Sequence, residues 1–504
     1  MTTPSQITRS TDFVKQSLVE DFVTALNTLF STNQQDSADD ERLVWKIILD
    51  VGRDLLASLL SLRCWEVSAK HLEHYPGARL RLDADYRVTV TTTLGTVNVP
   101  TFAFRDAKGK TRNPAKAVVF PRHKRCRSSS LCLEWETWLG GQLPFRQAQE
   151  ALSFFTHGAT QLEDTTIARH TVAIGASIDR SWTYKTPADI QAILQTRATR
   201  DNETGKPLLY LSSDACALRR YTDETFEASW KMMNGIRMWC VDAASGGIIH
   251  LGGEYTWGNC EEVRACFEQI VMEYIPTGET APQVVFLTDG MEWLRTWVGP
   301  VLPQDTLFIL DFYHAMEHLA KYARGRFGTN KRKRESWYRR KRRALLGKRV
   351  RKSKTQSTRK GHKKKPRSEW GKRRAAGVVH LSDNIHGAGE TLVNHLINEK
   401  VPTKHDDRHS KLLNYISENA ERMDYPSYRA RGIQIGSGAM ESLHRIAAQC
   451  RLKLPGARWL EETSKAVLNT RMMRLAGRWD DFWQGPGRDT RLCNAFGLGD
   501  ILMA

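Results

Sequence analysis

Two short, wholly apolar runs that each end in an aspartate constrain this chain more than any other feature. KPLLYLSSDACAL delivers Asp214 and QVVFLTDG delivers Asp289. A strand buried on both faces tolerates a carboxylate only at its rim, where ligands gather beyond the strand ends. Either residue alone also suits a turn, and Asp289-Gly290 is a common turn pair. Context narrows the choice. Between the two runs, WKMMNGIRMWCVDA and GGIIHLGGEYTW read as strands, and NCEEVRACFEQIVMEYI as an amphipathic helix. MEWLRTWVGPVL then reads as a short helix, and TLFILDFYHAMEHLA as a strand that delivers Asp311 and runs into a helix. The order β-β-β-α-β-α-β-α predicts an α/β domain, a mixed sheet flanked by helices.

Charge is as unevenly placed as the acids are. Residues 331–374 carry 23 Lys/Arg against Glu335 and Glu369, so the net +19 of the 504-residue chain is one basic block. Such a block attracts a polyanion and releases its counterions. Lys331, Arg332, Lys333, Arg334, Arg339 and Arg340 are expected to grip backbone phosphates, with Trp337 and Tyr338 stacking on bases. Residues 348–376 look linker-like. No run approaches the 18 apolar residues of a membrane span, and MTTPSQITRSTDF lacks a signal pattern, so no membrane partner is expected. Nine scattered cysteines suit a reducing cytoplasm. Cys126 and Cys132, near His123, stand at a spacing that departs from zinc sites, and two ordinary cysteines are the expectation.

Residues 1–75 read as helical, with STNQQDSADDER a polar loop between two amphipathic stretches. From Asp85 to Asp106 the pattern alternates as in a hairpin, with Leu94-Gly95 at the turn and AVVF at 117–120 as a further strand, so 76–125 is a small β region. Residues 143–178, within a region spanning 126–200, read as helix, turn, helix. Asp164-Thr165 looks like an N-cap, which leaves Thr166, Arg169 and His170 near the exposed start of a DNA-reading helix.

The strings LSSDACAL, FLTDG, DFYHAMEHL and IGSGAMES, followed by RLKLPGARW and AVLNTRMMRLAGRWDDFW, resemble those of bacterial insertion-sequence transposases of the ISKra type, kin to the Mutator-like transposases. The likeness covers roughly residues 205–325 and 430–485. It implies an RNase H-like core of the DDE kind at 205–325, a basic helical insertion at 326–428, and a C-terminal helical part of the core at 429–504. It assigns Asp214, Asp289 and Glu441 as the carboxylate trio and as the metal ligands. Such a trio holds a pair of Mg²⁺ ions, with Mn²⁺ the alternative, about 3.5–4 Å apart. Oxygen ligands suit these hard cations.

The residues keep some alternatives open. Glu441 also suits a surface pair with Arg445. Asp311 ends a buried strand too and competes with Asp289 for the second place. Asp311 and His314 form a D-x-x-H string that the resemblance treats as supporting, while His314 equally suits a satisfied helix-start histidine. Arg451, Lys453, Arg458 and Trp459 follow the Glu441 helix and are expected to touch the cleaved strand, with Trp459 serving equally as core. The expected function is cleavage and strand transfer at the ends of the chain's own insertion sequence. Its expected partners are double-stranded DNA of the ends and of the target, held by a homo-dimer or larger assembly in the bacterial cytoplasm. A DNA-binding regulator without catalysis and an RNase H-like nuclease are the alternatives.

Overall fold

The computed structural model describes residues 37–75, 87–120, 126–221, 228–347 and 387–497, with a few isolated positions before 37 and at 78, 80 and 81. Most of residues 1–36, His123 and the basic run past residue 347 lie outside the described residues. The chain divides into two compact units, each assembled from separated stretches.

One unit comprises Lys185–Ala217 and Lys231–Ile446. At its centre are β1 (Leu208–Tyr221), β2 (Ala228–Val241), β3 (Ile248–Thr256), β4 (Gln283–Thr288) and β5 (Leu307–Leu310), in the sheet order β5-β4-β1-β2-β3. The outer ends of β1 and β2 belong to the other unit. Six residues join β1 to its neighbour β2, too few for a crossover, so this pair runs antiparallel. β2 and β3 are also antiparallel, whereas β4 runs parallel to both β1 and β5. The sheet is therefore mixed and follows the element order read from the sequence. The segment after Asp289 is a π-helical turn, Leu294–Val298, and a 3-10 turn, Gly299–Val301, in place of the short α-helix expected there.

Helices cover both faces of the sheet. On one face Phe286 of β4 lies edge-on to Phe267 of α1 (Cys260–Tyr274) and to Phe308 of β5. On the other, Tyr210, Val285, Leu287 and Ile309 share one core with α2 (Phe312–Phe327), α3 (Lys331–Leu346), α4 (Ala388–Ile397) and α5 (Asp406–Asn419). The described part of the 326–428 insertion is thus built into the core of the sheet.

The other unit comprises Met1–Tyr184, Leu218–Trp230 and Ala447–Ala504. Its helix Ser37–Leu72 begins within the stretch read as a loop, with Asp39 and Asp40 favouring its N-terminal dipole. The hairpin Arg87–Thr92 and Gly95–Pro100 turns at Thr93-Leu94, one residue ahead of the expected pair, and packs Val90, Val97 and Val99 on Cys64 of that helix. AVVF is not a strand. Asn113 caps, and Pro114 starts, the helix Pro114–Val118, which takes up the beginning of that run.

The helices expected at 143–178 exist, as Phe145–Phe155 and Asp164–Ser177, but eight residues separate them and the N-cap is Glu163. Asp164–Ser177 packs against both Ser130–Gln142 and Glu461–Leu475, so it lies within a bundle. No described helix is long and apolar enough to cross a membrane.

How the basic helix α3 joins an apolar core has a specific answer. Trp337, Lys341 and Leu345, four residues apart on one face, are buried. Glu399 accepts from Trp337 Nε1 at 2.6 Å, lies 2.8 Å from Lys341 Nζ and pairs with Arg326. Burial opposes its ionisation, yet Lys341, Trp337 and Arg326 together hold its carboxyl below the ordinary glutamate range. Burial in turn pulls the Lys341 ammonium down. Removing one partner of a buried ion pair leaves the other charge uncompensated, so Glu399→Gln is expected to cost about 3–5 kcal/mol in urea unfolding. A lowered carboxyl adds stability that is complete above its unfolded-state value and drains away as pH falls through its native value. The wild type is therefore expected to lose stability more steeply than Glu399→Gln below about pH 4.

Candidate active site

Register, not loop geometry, assembles this site. β1 pairs with β4 from Leu208↔Gln283 to Ser212↔Leu287, and two further steps bring Asp214 level with Asp289. β5 pairs with β4 up to Leu310↔Thr288, and the Asp311 N–H donates to the Thr288 carbonyl at 2.7 Å, which brings Asp311 level with Asp289 as well. Residues in register on parallel strands point to one face. Here it is the face covered by α2 to α5.

The three aspartates differ in what they have left to offer. Asp311 is buried and fully engaged. Its Oδ1 accepts from the N–H groups of Tyr313 at 2.6 Å and His314 at 3.4 Å, capping α2. Its Oδ2 accepts from Ser437 N at 3.1 Å and from the Ser437 hydroxyl. Asp311 therefore staples the IGSG turn to the end of β5 and is no free ligand. Its burial also removes it from direct contact with DNA ends. His314 Nε2 meets His318 Nε2 at 3.3 Å on the next turn of α2, and is half-buried.

Asp289 and Asp214 keep lone pairs free. Asp289 Oδ1 accepts from Met291 N at 3.2 Å, and burial first, then the Asp214 charge, push its carboxyl above the usual range. Asp214 is more than a third exposed and accepts from Ala215 N at 2.7 Å through Oδ1. Its Oδ2 lies 3.6 Å from His444 Nε2. His444 is buried and meets Tyr255 Oη at 3.2 Å through Nδ1. Burial works against its charged form, but the Asp214 carboxylate and Cys216 hold it up to about 9.

Glu441 stands one turn before His444, at the start of α6 (Gly438–Leu443), and is exposed. His444, three residues on, is buried and reaches Asp214, while Glu441 stays exposed. Arg445, like Glu441, is exposed. Two residues of β2 let α6 come this close. Arg237 is buried and donates to the Ala439 carbonyl, with burial pulling its guanidinium down to about 10. At Gly235 a Cβ would fall 2.7 Å from Met440 Cε, 2.8 Å from Tyr255 and 2.9 Å from His444. His444, Tyr255, Arg237 and Gly235 were not read as functional from the sequence, and the three-residue step from Glu441 to His444 was the available signal.

The donor set suits a divalent cation in part. Asp214 and Asp289 offer hard oxygen ligands side by side, and their mutual repulsion is what a cation between them would relieve. Among the described residues no three carboxylate, imidazole or thiol groups are gathered closely enough to hold a metal ion, so Glu441 stands outside the aspartate pair. Cys132 is buried, and its thiol donates to Glu136 and is pushed up by burial.

Of the residues expected to touch DNA, several are core. His170 is not at an exposed helix start. It is buried, 2.6 Å from the equally buried Glu136 through Nδ1, because its face of Asp164–Ser177 looks into the bundle. Arg451 is buried, its guanidinium 4.9 Å from the rings of both Phe145 and Trp459, and donates to the Gly140 carbonyl. Trp459 is buried and donates to the Leu452 carbonyl. Trp337 is likewise closed to bases by its place against Glu399, and Tyr338 packs partly buried on the same core.

Arg169, Lys453 and Arg458 are exposed, and Thr166 is half-buried. On α3, Lys331, Arg332, Lys333, Arg339 and Arg340 are exposed and Arg334 is half-buried, so the helix presents a cationic face opposite its buried one.

No family model and no curated protein matches the chain. Among solved structures it is similar to the Drosophila P element transposase strand transfer complex, at 9% identity and a TM-score of 0.23, over 74% of this chain and 85% of that one. A likeness of that size leaves the site to be judged on its own geometry.

Gly235→Ala puts a methyl group where three side chains already pack. It is expected to lower the unfolding free energy by about 1–3 kcal/mol, read by denaturant titration. Arg451→Ala is expected to destabilise similarly in the same titration, since it leaves the Gly140 carbonyl without its donor and empties the space between Phe145 and Trp459.

Proposed function

We propose that the chain is a DNA transposase of the kind its motifs resemble, with an RNase H-like core and Asp214, Asp289 and Glu441 as its carboxylate trio. The observation that carries this reading is the strand register that sets Asp214 beside Asp289 at the end of β4. The sheet order and the docking of α6 onto the same region through His444 add support.

Asp214 and Asp289 would hold divalent magnesium, or manganese, with Glu441 completing the set. When bound, the metal pair lowers the cost of negative charge on the attacking and leaving oxygens of a phosphodiester. The chain's own residues do the arranging. His444 lies 3.6 Å from one oxygen of Asp214, and the Ala215 N–H donates to the other. Asp311 is a positioning residue that ties the turn before α6 to the sheet.

The exposed cations of α3 would grip backbone phosphates, and in the other unit the exposed Arg169, Lys453 and Arg458 would do the same. Two element ends must be held at once, so the working form is a homo-dimer or larger.

The separation of Glu441 from the aspartate pair favours a second reading, a DNA-binding regulator that keeps the fold without the reaction. Cleavage of DNA carrying the element's ends, with Mg²⁺ or EDTA, tests both. Metal-dependent cutting that falls at least 10²-fold in Asp214→Ala, Asp289→Ala and Glu441→Ala, with DNA binding intact, is the expected result; about 10²-fold is what removing one group that stabilises transition-state charge typically costs. Binding without cleavage by the wild type would favour the regulator. Replacing Lys331, Arg332, Lys333, Arg339 and Arg340 by Gln is expected to flatten the slope of log affinity against log salt by roughly 0.9 for each phosphate that is no longer neutralised.

A further inference from the structure

In the unit that contains the helical bundle, a cavity of about 480 Å³ has an unusual lining for a chain of net charge +19. Its walls are Trp135, Trp138, Phe155 and Trp479, and its polar groups are Glu134 and Asp480. Trp135, Trp138 and Phe155 are all exposed. Large aromatic side chains gathered at a surface mark an interaction site more often than chance exposure.

Two features say what would enter. Aromatic ring faces attract cations, and two carboxylates at the same opening add directed acceptors. Glu134 already accepts from Trp479 Nε1 at 3.0 Å, which fixes one of its oxygens and the ring together. Burial pushes its carboxyl up, and the Asp480 charge adds to the push while Arg488 acts the other way. A donor cation placed here would relieve that repulsion. An apolar ligand would leave it in place, and an anion would worsen it.

The bundle shows the matching arrangement next door. The Arg474 guanidinium lies over the Trp138 ring, 5.1 Å from its centroid, so one of the cavity's rings already holds a guanidinium at its face. A planar guanidinium stacks on an indole face while its in-plane N–H groups reach carboxylates, which a compact ammonium does less well.

We propose that this cavity is a binding site for an arginine side chain presented by a partner polypeptide. The indole and phenyl faces take the guanidinium plane, and Glu134 and Asp480 accept its N–H groups. The proposal stands independently of the transposase reading, since it uses none of the candidate active-site residues.

The test titrates the full chain with acetyl-Gly-Arg-Gly-amide, its citrulline and lysine counterparts, free arginine and tetramethylammonium, followed by ligand-observed NMR. Saturable binding of the arginine peptide is expected, at least 10-fold tighter than the isosteric, uncharged citrulline peptide and tighter than free arginine. Trp135→Ala and Glu134→Gln are each expected to weaken it at least 5-fold. Trp135 is exposed, so its variant keeps the test valid even where Glu134→Gln disturbs Trp479. Equal binding of the arginine and citrulline peptides, or affinity unchanged in Trp135→Ala, would overturn the proposal. A preference for tetramethylammonium or the lysine peptide would overturn the arginine assignment, and a preference for free arginine would overturn the polypeptide source.

Discussion

The parallel pairing of β4 with both β1 and β5 is the constraint on which the candidate active site depends. β4 is only six residues long and wholly buried, so its register is set by packing on both faces. A slip of one residue would turn Val285 and Leu287 away from one core and Phe286 away from the other. Such a slip would also move Asp289 off the face it shares with Asp214. The stability of the sheet and the placement of the acids are thus the same requirement.

Around that row the surrounding groups divide the labour among the carboxylates. Asp311 spends all its acceptor capacity on the start of α2 and on Ser437, and so fixes the turn that leads into α6. Asp289 and Asp214 are left with unspent oxygens and a mutual repulsion. His444 stands 3.6 Å from Asp214, and Gly235 leaves the room it occupies. Like charges kept close inside a folded protein cost stability, and proteins accept that cost chiefly at functional sites. Asp289 and Asp311 share their strand position and are told apart by what each is already bonded to.

Much of this was legible in the sequence, for a reason that also explains the failures. Short apolar runs ending in Asp report a buried strand and its rim directly, so β1, β4 and β5 and their acids could be read residue by residue. Burial of a charged or polar side chain leaves no such local mark. His170, Arg451 and Trp337 all sit in polar-looking stretches, yet each is enclosed by a partner hundreds or tens of residues away or across a helix interface: Glu136, Gly140 and Phe145, and Glu399. Pattern reading assigns cationic residues to the surface by default, and tertiary partners overrule it. The AVVF run failed in the opposite direction, where a capping Asn113 and Pro114 outweighed β-propensity.

The stretch between Asp289 and Glu441 shows how one helix can serve two masters. α3 carries too many cations to be held by apolar contact alone, and Trp337, Lys341 and Leu345 are its buried residues. Glu399 converts that interior cation from a liability into an anchor by pairing with Lys341 while also binding Trp337 and Arg326. With one face fixed to the core shared by β4 and β5, the opposite face must carry Lys331, Arg332, Lys333, Arg339 and Arg340 outward. The orientation of the cationic face is therefore set by the same apolar core that lies beneath Asp214 and Asp289. A polyanion drawn to α3 would meet a surface built on the same core as the strands that bear those two acids.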